Sequence, residues 1–480
     1  MNILFKVKGF GEKNNSKKES IKKIKFSNEQ IINHAIQLHI KGNIPQATKI
    51  YQQLINQGCN DHRVFSNYGV ILKDIGKLKE AEFCQRNAIK LNPSFANAHS
   101  NLGNILKDLG KLEEAELCQR NAIRLNPNFS NAHSNLGNLL RDLGKLKEAE
   151  SSFRKAIQLK PDNAYAHCNL GTILIDLGKL KDFVLLSKST LESSKIDEGY
   201  KLLTRSGIVI ANLIKGNFSE AFLNLNKTNE LINKGKLNII QNAQLRKNVL
   251  NYSSFITALY PLLEKNNHNP DLEVIPHIGE SHCLSFAHQT LSISSQLKQI
   301  QPVLITGGKA WHFANNANNQ WKDSLTEQIK NHIYSDKVFI SFGEIDCRKD
   351  EGILIHSIKK DKDISEICEK TIKGYLDYME EKLSPNYSKR YYFGIPAPKR
   401  EKDLHDELDI KRIKMIQLYN SLLKKEVLYR GAYFVDVYNL TSNKNGENNN
   451  LYMCDKVHLS PKCLSILFEN HLYNPANFNN

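Results

Sequence analysis

A chain of 480 residues, 40% of them hydrophobic and only 13 of them proline, is long enough for two or more domains with substantial cores, which excludes a disordered polymer. Lysine and arginine outnumber aspartate and glutamate, 66 to 50, for a net charge of +16; the aromatics do not alternate with basic residues as a single-strand binding surface requires, so no nucleic-acid partner is expected. The nine cysteines include no CxxC pair and no His/Cys cluster with zinc spacing, so neither a metal nor another cofactor is expected, and a reducing, cytoplasmic location fits.

In chain order, the opening MNILFKVKGFGEKNNSKKES has only a very short apolar start, soon interrupted by lysines. It lacks the apolar core and cleavage site of a signal peptide, and residues 1–25 read as a flexible basic tail. No run in the chain approaches the roughly 20 apolar residues of a membrane span.

Residues 26–235 read as a helical repeat array. Gly42, Gly76, Gly110, Gly144 and Gly178 recur every 34 residues, as do Gly69, Gly103, Gly137 and Gly171, and Ala47, Ala81, Ala115 and Ala149. Pro93, Pro127 and Pro161 close three of the units. Each unit carries two amphipathic helices. The recurrent small residues let helices cross closely, the glycine of the DLGKL turn permits a left-handed cap, and the proline ends the second helix. One such pair cannot bury its apolar face alone, so the units are expected to stack into a solenoid.

The period and the pattern NLG…DLGKL.EAE……AI.LNP resemble the tetratricopeptide repeat family over residues 33–195. The fifth unit decays, with Phe183 at the alanine position, and residues 196–235, containing GNFSEAF, read as degenerate. Asn67, Asn101, Asn135 and Asn169 recur on the first helix of each unit. This column resembles the asparagine ladder of O-linked N-acetylglucosamine transferase repeats and implies a protein or peptide held by its backbone on the concave face. The same asparagines also suit hydrogen bonding between repeats. His99, His133 and His167 recur as packing residues.

After a helical connector over residues 236–270 the pattern changes. Short apolar runs at LEVIPHI (272–278), PVLIT (302–306), KVFISF (337–342), RYYFGI (390–395) and YFVDVY (433–438) alternate with helix-like segments near 283–297, 322–333, 362–383 and 405–430. Strands alternating with helices predict an α/β domain, a parallel sheet covered on both faces, over residues 271–475. Sites in such sheets form at the carboxyl ends of strands. The blocks GESH, TGGKAWHF, FGEIDCR and GIPAPK follow the first four runs, and CDKVHLSPK lies past the fifth.

This order resembles the SGNH (GDSL-like) hydrolase superfamily, whose fold is a three-layer, flavodoxin-like parallel sheet. The resemblance implies Ser281 as nucleophile, His458 as general base and Asp455 as the residue orienting it. It implies an oxyanion hole from the backbone N–H groups of Ser281 and of Gly307 or Gly308. Glu280 stands where aspartate is usual, and Glu280, His282, Asp346 and Arg348 are candidate substrate-binding residues. Ile345 occupies the position where the family has an oxyanion-donating asparagine; loss of one such donor typically costs about 3 kcal/mol. Taken singly, each block has a plainer reading: Ser281 and Asp455 as helix caps, Gly307-Gly308 as a tight turn, His458 as an ordinary histidine. A Cys283–His458 pair is a weaker alternative.

The expected function is a repeat-scaffolded serine esterase or acyl transferase acting on an acylated small molecule or carbohydrate. The alternative is a protein-interaction scaffold with a degenerate SGNH-like domain, which Ile345 favours. A glycosyltransferase is a third reading, but about 200 residues with one sheet are too few for the usual two-domain nucleotide-sugar site.

Overall fold

The computed structural model describes residues 27–240, 242–263, 271–293, 295–349, 351–399 and 407–469; the expected basic tail lies outside them. Two compact units divide the chain, residues 1–135 and 136–480, so the division falls inside the helical array and not at its end.

In the first unit, three helical hairpins follow one another: Asn28–Ile40 with Ile44–Asn56, His62–Asp74 with Leu78–Leu91, and Ala96–Asp108 with Leu112–Leu125. Ser27 opens the first helix through a capping box with Gln30, satisfying N–H groups that the helix cannot bond itself. The turn glycines Gly42, Gly76 and Gly110 all have φ of 76–78°, the left-handed cap expected from DLGKL. Ala47, Ala81 and Ala115 are fully buried where the paired helices meet. Gln85 and Gln119 reach from the second helix of their hairpins to the carbonyls of Ser66 and Ser100 at 2.8 and 2.9 Å, filling the space left by Gly69 and Gly103.

The second unit continues with helices Leu146–Leu159, Ala164–Asp176, Leu180–Glu192, Glu198–Lys215 and Phe218–Asn233. Phe183, at the alanine position of the decayed repeat, is buried because Gly171 and Gly207 leave room for its ring, with virtual Cβ distances of 3.2 and 2.8 Å. At Gly137 the ring of Phe153 lies 2.9–3.0 Å from where a Cβ would sit. Gly137→Val is therefore expected to lower stability by about 1–3 kcal/mol through overpacking. This is read as a lower urea midpoint; an unchanged midpoint would mean that Phe153 can step aside at no cost.

The later repeats are bonded to the α/β segment. The Leu146 N–H donates to Asp323 Oδ2 at 2.8 Å, Lys147 pairs with Glu327 at 2.9 Å, and Ser324 Oγ donates to the Asp176 carbonyl at 2.7 Å. A Cβ at Gly144 would lie 2.6 Å from the Asn319 carbonyl oxygen, so this turn needs glycine for contact as well as for its φ of 70°. The connector contains the helix Ala243–Leu259.

Six strands form one sheet: β1 (Glu273–Gly279), β2 (Thr290–Ile293), β3 (Gln296–Leu304), β4 (Lys337–Ser341), β5 (Lys389–Phe393) and β6 (Tyr433–Val435), in the order β2-β3-β1-β4-β5-β6. All pairings are parallel except β2 with β3, so the sheet is mixed and the all-parallel expectation is corrected. The helix expected near 283–297 is likewise replaced by one 3-10 turn, Ser281–Phe286, and an antiparallel edge strand. Residues 290–293 alternate, with Leu291 and Ile293 buried and Ser292 exposed, and His288 and Ser295 take positive φ on either side, a strand-and-turn pattern that helical periodicity does not accommodate.

Side chains alternate across the sheet. Ile278, Val338, Ile340, Tyr392 and Phe434 join a core with helices Gln320–Lys330, Ile364–Leu383 and Glu407–Tyr429. Ile275, Phe339, Tyr391, Phe393 and Val435 face the other way, against the closing helix Cys463–Glu469. Both faces are covered. Among the described residues no helix is long and apolar enough to cross a membrane.

Candidate active site

β1 ends at Gly279, where a Cβ would meet the Ser341 side chain and, at 2.8 Å, its carbonyl oxygen; only glycine lets β1 and β4 run this close to their carboxyl ends. The chain then turns into Ser281–Phe286, so Ser281 stands at the rim of the sheet. From the far end of the sequence, Met453 and Leu459 pair as an antiparallel bridge and the Cys454 N–H donates to the His458 carbonyl at 2.9 Å. That tight loop turns Asp455 and His458 towards each other.

The three side chains, distant in sequence, meet. Ser281 Oγ is 2.9 Å from His458 Nε2, and His458 Nδ1 is 2.8 Å from Asp455 Oδ2. Asp455 Oδ1 also accepts from the backbone N–H groups of Val457 and His458 at 2.8 and 2.7 Å. Burial opposes ionisation of Asp455, but the hydrogen bond and charge of His458 and these two amides hold its carboxyl at about 2. It is a carboxylate at neutral pH, the state that accepts an Nδ1–H and leaves Nε2 facing the serine.

Glu280 and His282 flank the serine. Ser281 Oγ lies 3.0 Å from Glu280 Oε2, while Glu280 Oε1 bonds His282 Nδ1 at 2.9 Å and His282 Nε2 bonds the Val457 carbonyl at 3.1 Å. Burial disfavours both charges, yet their mutual attraction wins: Glu280 is held below the usual carboxylate range and His282 is pushed up to about 9. Ligand atoms of Glu280, His282 and Glu344 lie within 4.8 Å of one another, a grouping that could hold a metal ion. The donor set argues against it, because both nitrogens of His282 face hydrogen-bond acceptors and carry protons.

The other expected residues are placed as follows. Asp346 is buried and accepts from the backbone N–H groups of Ala310 and Trp311 at 2.8 and 3.1 Å, fixing the loop that follows β3; burial pushes its carboxyl up to about 6. Arg348 is bound to Glu344 at 2.9 Å and to Glu351 at 3.3 Å. Gly307 has φ of 67°, and the Gly308 N–H donates to the Ile305 carbonyl at 3.0 Å, so of the two glycines Gly308 already spends its donor inside the loop. Ile345 is a buried apolar side chain in the turn Ile345–Cys347. Cys283 is fully buried, and burial pushes its thiol far up, which removes it as a nucleophile.

In the array, the amide groups of Asn101 and Asn135 donate to Ser66 Oγ and Ser100 Oγ of the preceding unit at 3.4 and 3.3 Å. Asn169 donates to the Tyr165 carbonyl and accepts from Arg141; Asn67 is half-buried. His99, His133 and His167 each bond the carbonyl of the proline six residues earlier, at 3.0–3.1 Å, which ties the first helix of a unit to the loop before it.

Two further polar residues at the site carry no motif in the sequence. His277, inside β1, bonds Ser341 through Nε2 and has no partner at Nδ1. Glu344 has no partner at Oε1, and both line a cavity of about 20 Å³ beside Glu280 and His282. Glu344 lies within the FGEIDCR block beside Ile345, and His277 has no local signal at all.

Comparison with known proteins concerns the helical array. Family models described as tetratricopeptide repeat match residues 62–95, 96–129 and 118–151, and one described as TPR repeat matches 137–178. This segment is an array of tetratricopeptide repeats, an architecture that binds proteins and peptides along its stacked surface. Similar solved structures include MamA, at 23% identity over 33% of this chain and 92% of that one, with a TM-score of 0.31. They also include pilF of Pseudomonas aeruginosa, at 16% identity over 42% and 90%, with a TM-score of 0.38. YrrB, described as a TPR protein with an unusual peptide-binding site, matches at 20% identity over 42% and 97%, with a TM-score of 0.33. No curated protein matches the chain.

Proposed function

We propose that the chain is a tetratricopeptide-repeat scaffold carrying a serine esterase or acyl transferase site of SGNH type. The observation that carries this reading is the chain of hydrogen bonds from Ser281 through His458 to Asp455, at 2.9 and 2.8 Å. The strand order supports it. Leaving aside the antiparallel edge, the parallel strands run second, first, third, fourth, fifth across the sheet, which is the flavodoxin-like order, and the triad sits at their carboxyl ends. In the reaction, Ser281 Oγ attacks the acyl carbon while His458 takes its proton. The tetrahedral oxyanion is met by the N–H groups of Ser281 and Gly307, and the alcohol leaves with the proton from His458. An O-acylated carbohydrate as substrate follows from the family resemblance alone, and the repeats, with Asn67, Asn101, Asn135 and Asn169, serve a protein or peptide partner.

A fluorophosphonate probe tests the reading. The wild-type protein is expected to be labelled and to hydrolyse p-nitrophenyl acetate, and Ser281→Ala to do neither. A wild-type protein that resists the probe at every concentration sinks the enzyme. It would favour the second reading, a scaffold with an inert α/β domain, for which Ile345 and the internally bonded Gly308 N–H speak.

A further inference from the structure

Two in-plane hydrogen bonds hold the His458 imidazole, at Nδ1 to Asp455 and at Nε2 to Ser281. They lie near opposite ends of the ring, so neither stops it from turning about the line that joins them. The phenyl ring of Phe255 does. Its centroid lies 3.7 Å from that of His458, with 20° between the planes, and the side chain is 1% exposed. Phe255 belongs to the helix Ala243–Leu259, outside the α/β segment. Its core cluster joins Leu213 and Leu225 from the last helices before the connector to Leu284, three residues after the serine, and to Leu304 at the end of β3.

We propose that Phe255 is a positioning residue for His458, so that the connector helix Ala243–Leu259 completes the catalytic site; this rests on the hydrolase reading above. During acylation the Oγ–C bond forms and the carbonyl π pair moves to its oxygen. The serine proton passes to Nε2, and His458 becomes an imidazolium. The phenyl face attracts that cation more than it attracts the neutral ring, so the stack favours the transition state over the resting state. The connector, packed against the last helices of the array, therefore reaches the chemistry through one aromatic ring.

The test uses the full chain with ¹³C-labelled histidine. One imidazole C–H signal is expected upfield of the rest, by the ring current of Phe255, and is identified by its absence in His458→Gln. Phe255→Leu returns it to the ordinary range; Phe255→Tyr keeps it. In the same proteins Phe255→Leu lowers kcat on p-nitrophenyl acetate by roughly 3–10-fold with KM unchanged, and Phe255→Tyr restores it. Phe255→Met, flexible and apolar, replaces the leucine variant if that one melts early. A wild-type rate in the folded leucine or methionine variant overturns the proposal, as does an active protein without the upfield histidine. An inert wild-type protein that retains the signal instead overturns the hydrolase reading, and with it any catalytic use of the stack.

Discussion

On the proposed hydrolase reading, Asp455→Asn is expected to lower kcat on p-nitrophenyl acetate by about 10⁴-fold while leaving the fold intact. The reason lies in how the carboxylate is used. Oδ1 accepts two backbone N–H groups, from Val457 and His458, and Oδ2 accepts from His458 Nδ1. An asparagine keeps its oxygen on the two amides, because only an acceptor can serve there, and turns its NH₂ towards Nδ1. The imidazole must then accept at Nδ1 and carry its proton on Nε2, so it points a hydrogen at Ser281 where a lone pair is needed. Base catalysis fails with little structural change. His458→Ala should be similarly impaired, and the double variant no worse than the more damaged single, since the residues act as one unit. Burst-phase kinetics with p-nitrophenyl acetate, beside a melting curve, check this. A loss under tenfold in Asp455→Asn would show that the hydrogen bond is structural only.

How much of this was readable in the sequence depends on the range over which each feature is encoded. The repeats were legible because their signals are local and periodic: the left-handed glycines Gly42 to Gly178 and the buried alanines fall where the 34-residue spacing puts them. Ser281, Asp455 and His458 were legible because each lies just past an apolar run or in a short motif, although nothing local says that the three converge. β2 was not legible. A four-residue strand offers two alternations, too few to outweigh the helical spacing that Cys283, Phe286 and Ala287 suggest. The contacts of Asp346 are not legible for a related reason. Its partners are backbone amides of Ala310 and Trp311, and backbone amides leave no trace in a sequence. Phe255 was beyond reach altogether, an unremarked aromatic on an amphipathic helix about 200 residues before the histidine it covers.

The second large effect concerns stability, and sits where a repeat meets the loop after β3. Asp176 ends the helix Ala164–Asp176, is 7% exposed, and has no partner at Oδ1; its other contact is with the Thr306 side chain, and the charge of Arg141 acts on it. Burial dominates and pushes the carboxyl from 3.8 up to about 7. The negative end of the helix dipole acts in the same direction. The sign follows from proton counting. Between pH 3.8 and about 7 the folded chain keeps a proton that the unfolded chain has released, so stability falls as pH rises through this window, and the whole penalty is present above it. At 1.36 kcal/mol per unit, the penalty approaches about 4 kcal/mol. Asparagine has the shape of the protonated acid and no charge to bury. Asp176→Asn is thus expected to match wild type in urea midpoint near pH 4 and to exceed it increasingly up to pH 8, with the gap constant beyond. An equal gap at both ends of the range would mean that Asp176 does not titrate on unfolding. A less stable variant at pH 8 would mean that the carboxylate is held by Arg141 more firmly than burial opposes it.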